Sequence, residues 1–118
     1  MSPLAQAIHA VLRKLVPHQR ADISYTDLVA KLPQPYNTLP ADSPILSAAL
    51  GELVTGCRNH SPALPAISAL VVHHFPPRVP GPGYYTQAHP AAVDDAHAML
   101  EWYQEITAAR RTTYPMIL

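Results

Sequence analysis

The sequence predicts an α+β domain that is mostly helical, and three neighbouring segments carry this prediction. Residues 44–58 show a strongly helical pattern, residues 67–72 are rich in β-formers, and proline and glycine dominate residues 76–83 before Tyr84 and Tyr85. A helix followed by two extended segments around a tight turn is the order found in winged helix-turn-helix domains. We therefore expect a single winged-helix-like domain over residues 1–118, with four helices and a small β-hairpin.

Composition limits the classes of protein that fit. The chain has 118 residues, 48% hydrophobic and 14% charged, which suits one domain with one core. Eight basic and eight acidic residues give zero formal net charge, which argues against tight nonspecific binding of nucleic acid. The single cysteine excludes an intramolecular disulfide, and no apolar run approaches the ~20 residues of a membrane span. We expect a cytoplasmic protein without a membrane segment.

Serine caps predict the starts of the first two helices. Ser2, followed by proline, begins a helix whose apolar residues recur at helical spacing until Pro17 ends it. Ser24 and Asp27 form a capping box for the second helix. Residues 21–23, just before this box, are expected to pair at the edge of a sheet.

The third helix is expected from Pro44 to about Arg58, with Asp42 or Ser43 as its cap. Its apolar residues form one inward stripe: Ile45, Leu46, Ala49, Leu50, Leu53, Val54 and Cys57. Its other face is small and nearly uncharged: Ser47, Ala48, Gly51, Glu52, Thr55 and Gly56. We expect this second face to be exposed and smooth. The β-rich run and Tyr84–Tyr85 then form the two strands of the hairpin.

The last helix is expected from Pro90 to about Arg111. Its predicted buried stripe, with Trp102 on the flank, is Ala92, Ala96, Met99, Tyr103 and Ile106. The opposite, polar side carries Asp94, His97, Glu101, Gln104 and Glu105. The first three of these have a spacing suited to acid–base work or to a cation. A solvated helix face is the simpler interpretation.

The segments Ile23-Ser24-Tyr25-Thr26-Asp27-Leu28 and Leu64-Pro65-Ala66-Ile67-Ser68-Ala69-Leu70-Val71-Val72 carry a family resemblance. Over about residues 20–86 the chain resembles small uncharacterised bacterial and phage proteins with the pattern ITYxxL…LPPLxxLVV…GxPGxGF. More distantly, it is similar to the DNA-binding domain of the O6-alkylguanine alkyltransferases and alkyltransferase-like proteins. Both resemblances imply a winged-helix fold.

The departures from the alkyltransferases bear on function. Where those proteins have Pro-Cys-His-Arg, this chain has Pro65-Ala66-Ile67-Ser68, so Ala66 occupies the position of the nucleophile. The expected outer face of the third helix also lacks the arginine and other base-reading groups of a recognition helix. Alkyl transfer by that mechanism is excluded on residues alone, and DNA readout in the usual winged-helix manner is not expected.

A zinc site is a further alternative, made of Cys57, His60 and one of His73 or His74. Adjacent residues of a strand point to opposite faces, so only one of the two histidines would join. Cys57 lies on the apolar stripe of its helix, where a buried free thiol is the commoner explanation. No nucleophile-elbow or phosphate-loop motif is present. We therefore predict no metal, no cofactor and no enzymatic activity, and keep a small metal-binding protein as an alternative.

The preferred hypothesis is a protein-interaction or inhibitor module, by analogy of the immunity or anti-defence type, whose partner is another protein. Its predicted partner-binding residues lie in and near the hairpin: Tyr84, Tyr85, Arg78, His73, His74 and Tyr36. Core packing is the alternative role for these residues, and homo-oligomers are compatible with this hypothesis. The rival function is a DNA-binding regulator that contacts phosphates through Arg13, Lys14, Arg20, Arg58, Arg110 and Arg111.

Overall fold

The computed structural model describes all 118 residues and contains five α-helices and one small sheet. In chain order the elements are α1 (Pro3–Leu12), β1 (Ile23–Ser24), α2 (Tyr25–Ala30), α3 (Pro44–Asn59), β2 (Val71–Val72), α4 (Pro82–Ala88) and α5 (Asp95–Ala109). Two short 3-10 helices, Tyr36–Thr38 and Ile67–Leu70, flank α3 in the chain. The predicted class, α+β and mostly helical, is confirmed. None of the helices is long and apolar enough to cross a membrane.

The predicted serine caps are present at the starts of α1, α2 and α3. The Ser2 hydroxyl accepts the Ala5 N–H at 3.2 Å, and the Ser24 hydroxyl accepts the Asp27 N–H at 3.0 Å. At α3 it is Ser43, rather than Asp42, whose hydroxyl accepts the Ile45 N–H at 3.2 Å. Each cap occupies an N–H group that has no partner inside its own helix.

Helix α3 lies at the centre of the core. The predicted stripe is buried from Leu46 to Cys57, and only Ile45, which is 63% exposed, departs from it. Ile45 precedes Leu46 by one residue, or about 100° of helical turn, and so lies outside the arc that packs inward. Helix α1, helix α4 and the 3-10 helix Ile67–Leu70 all pack against α3.

The second face of α3 is in part a packing face: Ala48 and Thr55 are exposed as predicted, whereas Ser47, Gly51, Glu52 and Gly56 are half-buried. A Cβ atom added at Gly51 would lie 2.9 Å from the Gln87 Nε2 atom, and one at Gly56 would lie 3.3 Å from Leu118. Between them, the Glu52 carboxylate accepts the Ser2 N–H at 2.8 Å and the Ser2 hydroxyl at 2.7 Å. The side chains of this face are small because α4, the start of α1 and the C-terminus approach closely there.

The predicted β-hairpin is also wrong, and with it the wing of a winged-helix domain. Residues Ile67–Leu70 form a buried 3-10 helix, and only Val71–Val72 is extended. This strand pairs in parallel with β1 in the register Ile23↔Val71 and Ser24↔Val72. The expected edge strand is therefore present at Ile23, but its partner lies almost 50 residues along the chain, and no local pattern specifies that partner or its register.

Tyr84 and Tyr85 lie in α4, a helix that is additional to the four predicted from the sequence. Helix α4 has Gly81 at its N-cap and Pro82 at its first position. Proline fixes φ near the helical value and lacks an N–H group that would be unpaired at this position, so it favours a helix start. A proline that suggested a strand-breaking turn therefore begins a helix.

The predicted buried stripe of α5 is wrong, because the face that packs inward is rotated about the helix axis by about one residue from the predicted stripe. Met99 is 46% exposed and Tyr103 is 62% exposed, whereas Trp102 is only 8% exposed. The Trp102 indole N–H donates to the Ala69 carbonyl at 3.0 Å, and Ile106 remains buried as predicted. The helix also begins later than expected, at Asp95. Burying the indole removes the largest apolar surface on the helix from water, which outweighs the exposure of the smaller side chains.

The C-terminal segment is fixed against α1. The imidazole of His9, which is 1% exposed, places its Nε2 atom 2.7 Å from the Pro115 carbonyl oxygen. Tyr114 packs edge-on against His9 and donates its hydroxyl to the Pro65 carbonyl at 2.7 Å. Burial lowers the pKa of His9, so the neutral ring is the form that fits this site.

Replacing Trp102 with alanine tests the observed orientation of α5. We expect Trp102→Ala to lower the free energy of unfolding by about 3–5 kcal/mol, because it leaves a large cavity and an unpaired Ala69 carbonyl. Tyr103→Ala, at the exposed neighbouring position, should change it by less than about 0.5 kcal/mol. Urea denaturation of dilute protein measures both, and a larger loss at Tyr103 would contradict this orientation.

The burial of His9 predicts a loss of stability in mild acid. Because the pKa of His9 is lowered in the folded state, the unfolded chain binds more protons at this residue below about pH 6.5. The free energy of unfolding should therefore fall as the pH decreases through this value, and level off below the folded-state pKa. Burial lowers the pKa of His89 as well, so His9→Gln should reduce this pH dependence without abolishing it. Urea denaturation between neutral and mildly acid pH measures the slope, and an unchanged slope in His9→Gln would contradict the assignment.

Candidate functional site

A cavity of about 700 Å³ opens to solvent between α3, α4 and the loop that joins β2 to α4. We call residues 73–80 the proline-rich loop. The wall of the cavity takes residues from segments 25–26, 41–50, 73–79 and 81–87, together with Ser68. Most of its exposed atoms are apolar, and its volume is within the usual range for ligand pockets, roughly 300–1,000 Å³. This cavity is the candidate functional site.

Tyr25 holds one side of the cavity together. Its hydroxyl accepts the Gly81 N–H at 2.8 Å, and its ring lies 5.5 Å from the ring of His73, centroid to centroid. A Cβ atom at Gly81 would lie 3.3 Å from the same hydroxyl, so the close approach favours glycine. Burial raises the pKa of Tyr25, which therefore stays a neutral hydrogen-bonding group. The contact joins the start of α2 to the start of α4 and fixes the end of the proline-rich loop.

The opposite side of the cavity is made where α4 crosses α3. Gln87 donates its side-chain amide to the Ser47 carbonyl at 3.0 Å. A Cβ atom at Gly83 would lie 2.9 Å from the Ser47 hydroxyl oxygen, so the helices are in close contact there. Deeper in the wall, the Ser68 hydroxyl is enclosed and makes no hydrogen bond. Asp42 is the one carboxylate among the lining side chains.

The outer rim of the cavity is aromatic and apolar. Phe75 is 76% exposed and packs edge-on against the His74 ring, with centroids 4.9 Å apart. Pro76 and Pro77, which follow it, are exposed as well and line the cavity. Arg78 donates to the His74 carbonyl at 3.0 Å and pairs with Asp22 at 2.8 Å. The arginine thus ties the loop to itself and to the residue before β1.

The predicted partner-binding residues fall into three groups. His73, His74 and Tyr84 line the cavity, and Arg78 braces the loop beside it. Tyr84 is only 5% exposed, and its hydroxyl lies 2.8 Å from His89 Nε2, so most of its ring packs in the core. Tyr85 is half-buried with an enclosed, unpaired hydroxyl, and Tyr36 packs against the core from the 3-10 helix Tyr36–Thr38. Neither of these last two tyrosines lines the cavity.

Tyr25, Ser47 and Phe75 line the site but were absent from the predicted set. Tyr25 was interpreted only as part of a helix cap, and Ser47 only as part of a smooth helix face. Phe75 is the sole phenylalanine of the chain and stands among histidines and prolines. A bulky apolar residue has no role in forming such a turn. The presence of Phe75 there was therefore a signal in the sequence for an exposed apolar surface.

Two of the predicted phosphate-binding residues, Arg58 and Arg110, already have partners within the fold. Arg58 pairs with Glu105, and Arg110 donates to the Ala21 carbonyl at 2.8 Å. Arg110 also lies 3.6 Å from the Asp22 carboxylate. The remaining members of the set are half-buried or exposed on the surface: Arg13, Lys14, Arg20 and Arg111.

The residues of the predicted metal alternative are not assembled into a site. Cys57 is fully buried on the inward stripe of α3, and burial raises the pKa of its thiol. His60 turns its Nδ1 atom to the Pro62 carbonyl at 3.0 Å, while His73 and His74 are exposed in the proline-rich loop. No group of three or more histidine, cysteine, aspartate or glutamate side chains is arranged to hold a metal ion.

The polar residues at the start of α5 serve the helix itself. The Asp94 carboxylate accepts the His97 backbone N–H at 2.8 Å and contacts the His97 ring at 2.7 Å. The backbone hydrogen bond is the main cause of a lowered Asp94 pKa. Asp94 is therefore an N-cap, and Glu101 lies further along the helix with one carboxylate oxygen buried and unpaired.

Comparisons with protein-family models, with curated proteins and with solved structures found no match to this chain. The family resemblance therefore remains a prediction from the sequence.

Removing the Tyr25 hydroxyl tests the contact that shapes the cavity. We expect Tyr25→Phe to lower the free energy of unfolding by about 1–3 kcal/mol, because the Gly81 N–H loses its partner. Hydrogen exchange should also become faster in α4, whose start this contact fixes. Tyr36→Phe is the matched control at a half-buried tyrosine away from the cavity. If both variants behave alike, the Tyr25–Gly81 contact does not organise the site.

Proposed function

We propose that this protein is a non-enzymatic protein-interaction module that binds an uncharged, apolar segment of a partner protein in the cavity beside the proline-rich loop. The observation that carries the proposal is the continuity between an apolar cavity of about 700 Å³ and the exposed ring of Phe75 at its rim.

The lining selects for an uncharged occupant. No lysine or arginine lines the cavity, and Asp42 is its one acidic side chain. A phosphate or carboxylate group would find no fixed positive charge there, whereas an apolar side chain would remove carbon surface on both partners from water. The polar groups at hand, such as the Ser47 hydroxyl and His73, can orient the occupant without requiring it to be charged.

The rim favours a macromolecular partner over a small ligand. A small molecule inside the cavity would leave Phe75, Pro76 and Pro77 in water, but a protein surface that covers the opening would bury them too. Aromatic rings with few rotatable bonds bury much apolar area at low entropic cost, which is why they are common at the centres of interfaces. The Arg78–Asp22 ion pair and the two prolines hold the rim in place before binding, which lowers the cost of ordering it.

The proposal extends to the type of scaffold and to the biological role of the protein. We infer a winged-helix-derived scaffold from the order α1, β1, α2, α3, with the proline-rich loop and α4 in the place of the wing. Inhibition of the partner, as in an immunity or anti-defence protein, and a cytoplasmic location complete the proposal by analogy with other small interaction domains. DNA binding through the free basic residues remains the rival function.

A pair of matched surface variants tests the proposal. The wild-type protein is used to recover partners from extract of its native cell, with and without nuclease, and the purified partner is then titrated. Phe75→Ala should weaken this binding by about tenfold or more, since it removes an exposed aromatic anchor at the rim. Ile117→Ala removes an equally exposed apolar side chain at the C-terminus, which does not line the cavity, and should leave the affinity unchanged.

Two results would overturn the proposal. Equal affinity of the Phe75→Ala and wild-type proteins for the partner would place the interface elsewhere on the molecule. Recovery of partners only when nuclease is omitted would favour the DNA-binding function instead, and this binding should then weaken steeply with salt.

A further inference from the structure

The outer face of α5 carries apolar side chains that no element of the fold covers. Met99 is 46% exposed, Leu100 is 54% exposed and Tyr103 is 62% exposed. With the exposed Ala96 they lie at positions i, i+3, i+4 and i+7, which places them on one stripe of the helix surface. Trp102 and Ile106 attach the other face of α5 to the core. The helix is therefore apolar on two sides, and only one of them is packed.

The spacing of this stripe fits a second helix. Ala96, Leu100, Tyr103 and Thr107 are separated by four, three and four residues, which is the a/d alternation of a heptad repeat. Met99 lies beside this seam and widens it. Side chains at these positions interdigitate with those of a neighbouring helix that runs nearly parallel or antiparallel to it.

The charges at the two ends of α5 favour an antiparallel neighbour of the same sequence. Asp95 lies in the first turn and Arg111 just after the last, both are exposed, and neither forms an ion pair within the chain. When two such helices run antiparallel, the acidic end of each lies beside the basic end of the other. The zero formal net charge of the chain also means that two copies do not repel each other through their overall charge.

We propose that the outer face of α5 is a homodimer interface, in which α5 of a second copy packs antiparallel across Leu100 and Tyr103. A two-fold axis between these residues sets Leu100 against Tyr103 of the second copy. It also brings Arg111 of one copy close to Asp95 of the other copy. Along the helix axis these two residues are separated by about one helical turn, ~5 Å, and an arginine side chain spans this gap.

The size of the surface sets the strength of the association. One exposed helix face of this kind amounts to a few hundred Å², whereas a stable interface buries roughly 800 Å² on each partner. We therefore expect a weak dimer with a dissociation constant between about 1 μM and 1 mM. No α5 residue lines the cavity, so this interface is independent of the proposed partner-binding function.

Sedimentation equilibrium of the full chain over this concentration range tests the proposal. The average mass should rise from that of a monomer toward twice that value as the protein concentration increases. Leu100→Glu should raise the dissociation constant by about tenfold or more, because it sets a charge in the centre of the seam. Ile45→Glu introduces the same charge at an equally exposed apolar residue in the first turn of α3 and should leave the association unchanged.

A charge exchange tests the antiparallel orientation. Asp95→Arg and Arg111→Asp should each weaken the dimer, and the double variant should restore it, since both ion pairs are re-formed with exchanged signs. Both changes oppose the helix dipole, so restoration could not come from a more stable helix. A monomer at every concentration, a dimer insensitive to Leu100→Glu, or a double variant weaker than both single variants would each overturn the proposal.

Discussion

Helix α1, helix α4 and the 3-10 helix Ile67–Leu70 all pack against α3, and their positions follow from the faces that α3 presents to them. Its apolar stripe packs into the core, and its small face receives α4 at Gly51 and the C-terminal Leu118 at Gly56. Ser2, at the start of α1, donates twice to Glu52 on the same face. A side chain at Gly51 would displace the Gln87 amide, which donates to the Ser47 carbonyl and so helps to hold α4 against α3.

The cavity exists because two distant segments are joined at one place. Strand β1 pairs with β2, which sets the start of α2 beside the loop that leaves β2. The Tyr25 hydroxyl then accepts the Gly81 N–H and fixes the far end of that loop. The proline-rich loop is thereby held at both ends beside the cavity. A site of this kind is preorganised, which reduces the entropy lost when an apolar partner binds.

Polar contacts also hold α4 against α3 and α5. Arg58 on α3 pairs with Glu105 on α5 and donates to the Ala88 carbonyl, and Tyr84 contacts His89. These groups tie α3, α4 and α5 together. The side chains that the sequence offered as phosphate or partner contacts are in part used for this internal bracing. Phe75 at the rim and the apolar residues on the outer face of α5 remain exposed.

The sequence by itself determined those features that depend on neighbouring residues. The serine caps of α1 and α2, the inward stripe of α3 from Leu46 to Cys57 and the mostly helical α+β class follow from local hydrogen bonding and helical periodicity, and the structure confirms them. At α3 the sequence left the cap open between Asp42 and Ser43, and the structure selects Ser43. Of the six residues predicted as partner contacts, His73, His74 and Tyr84 line the cavity, and the partner-binding role of the set stays a prediction. Tertiary structure decided the rest. Residues 67–72 form a 3-10 helix and a parallel strand rather than a hairpin because their partner lies at residues 23–24. The buried face of α5 is set by the hydrogen bond between the Trp102 indole and the Ala69 carbonyl. The role of Tyr25 was hidden for the same reason, since its partner Gly81 lies 56 residues along the chain. Contacts between distant segments leave no local periodicity, so the free-energy gain that selects among them appears only when the chain is packed.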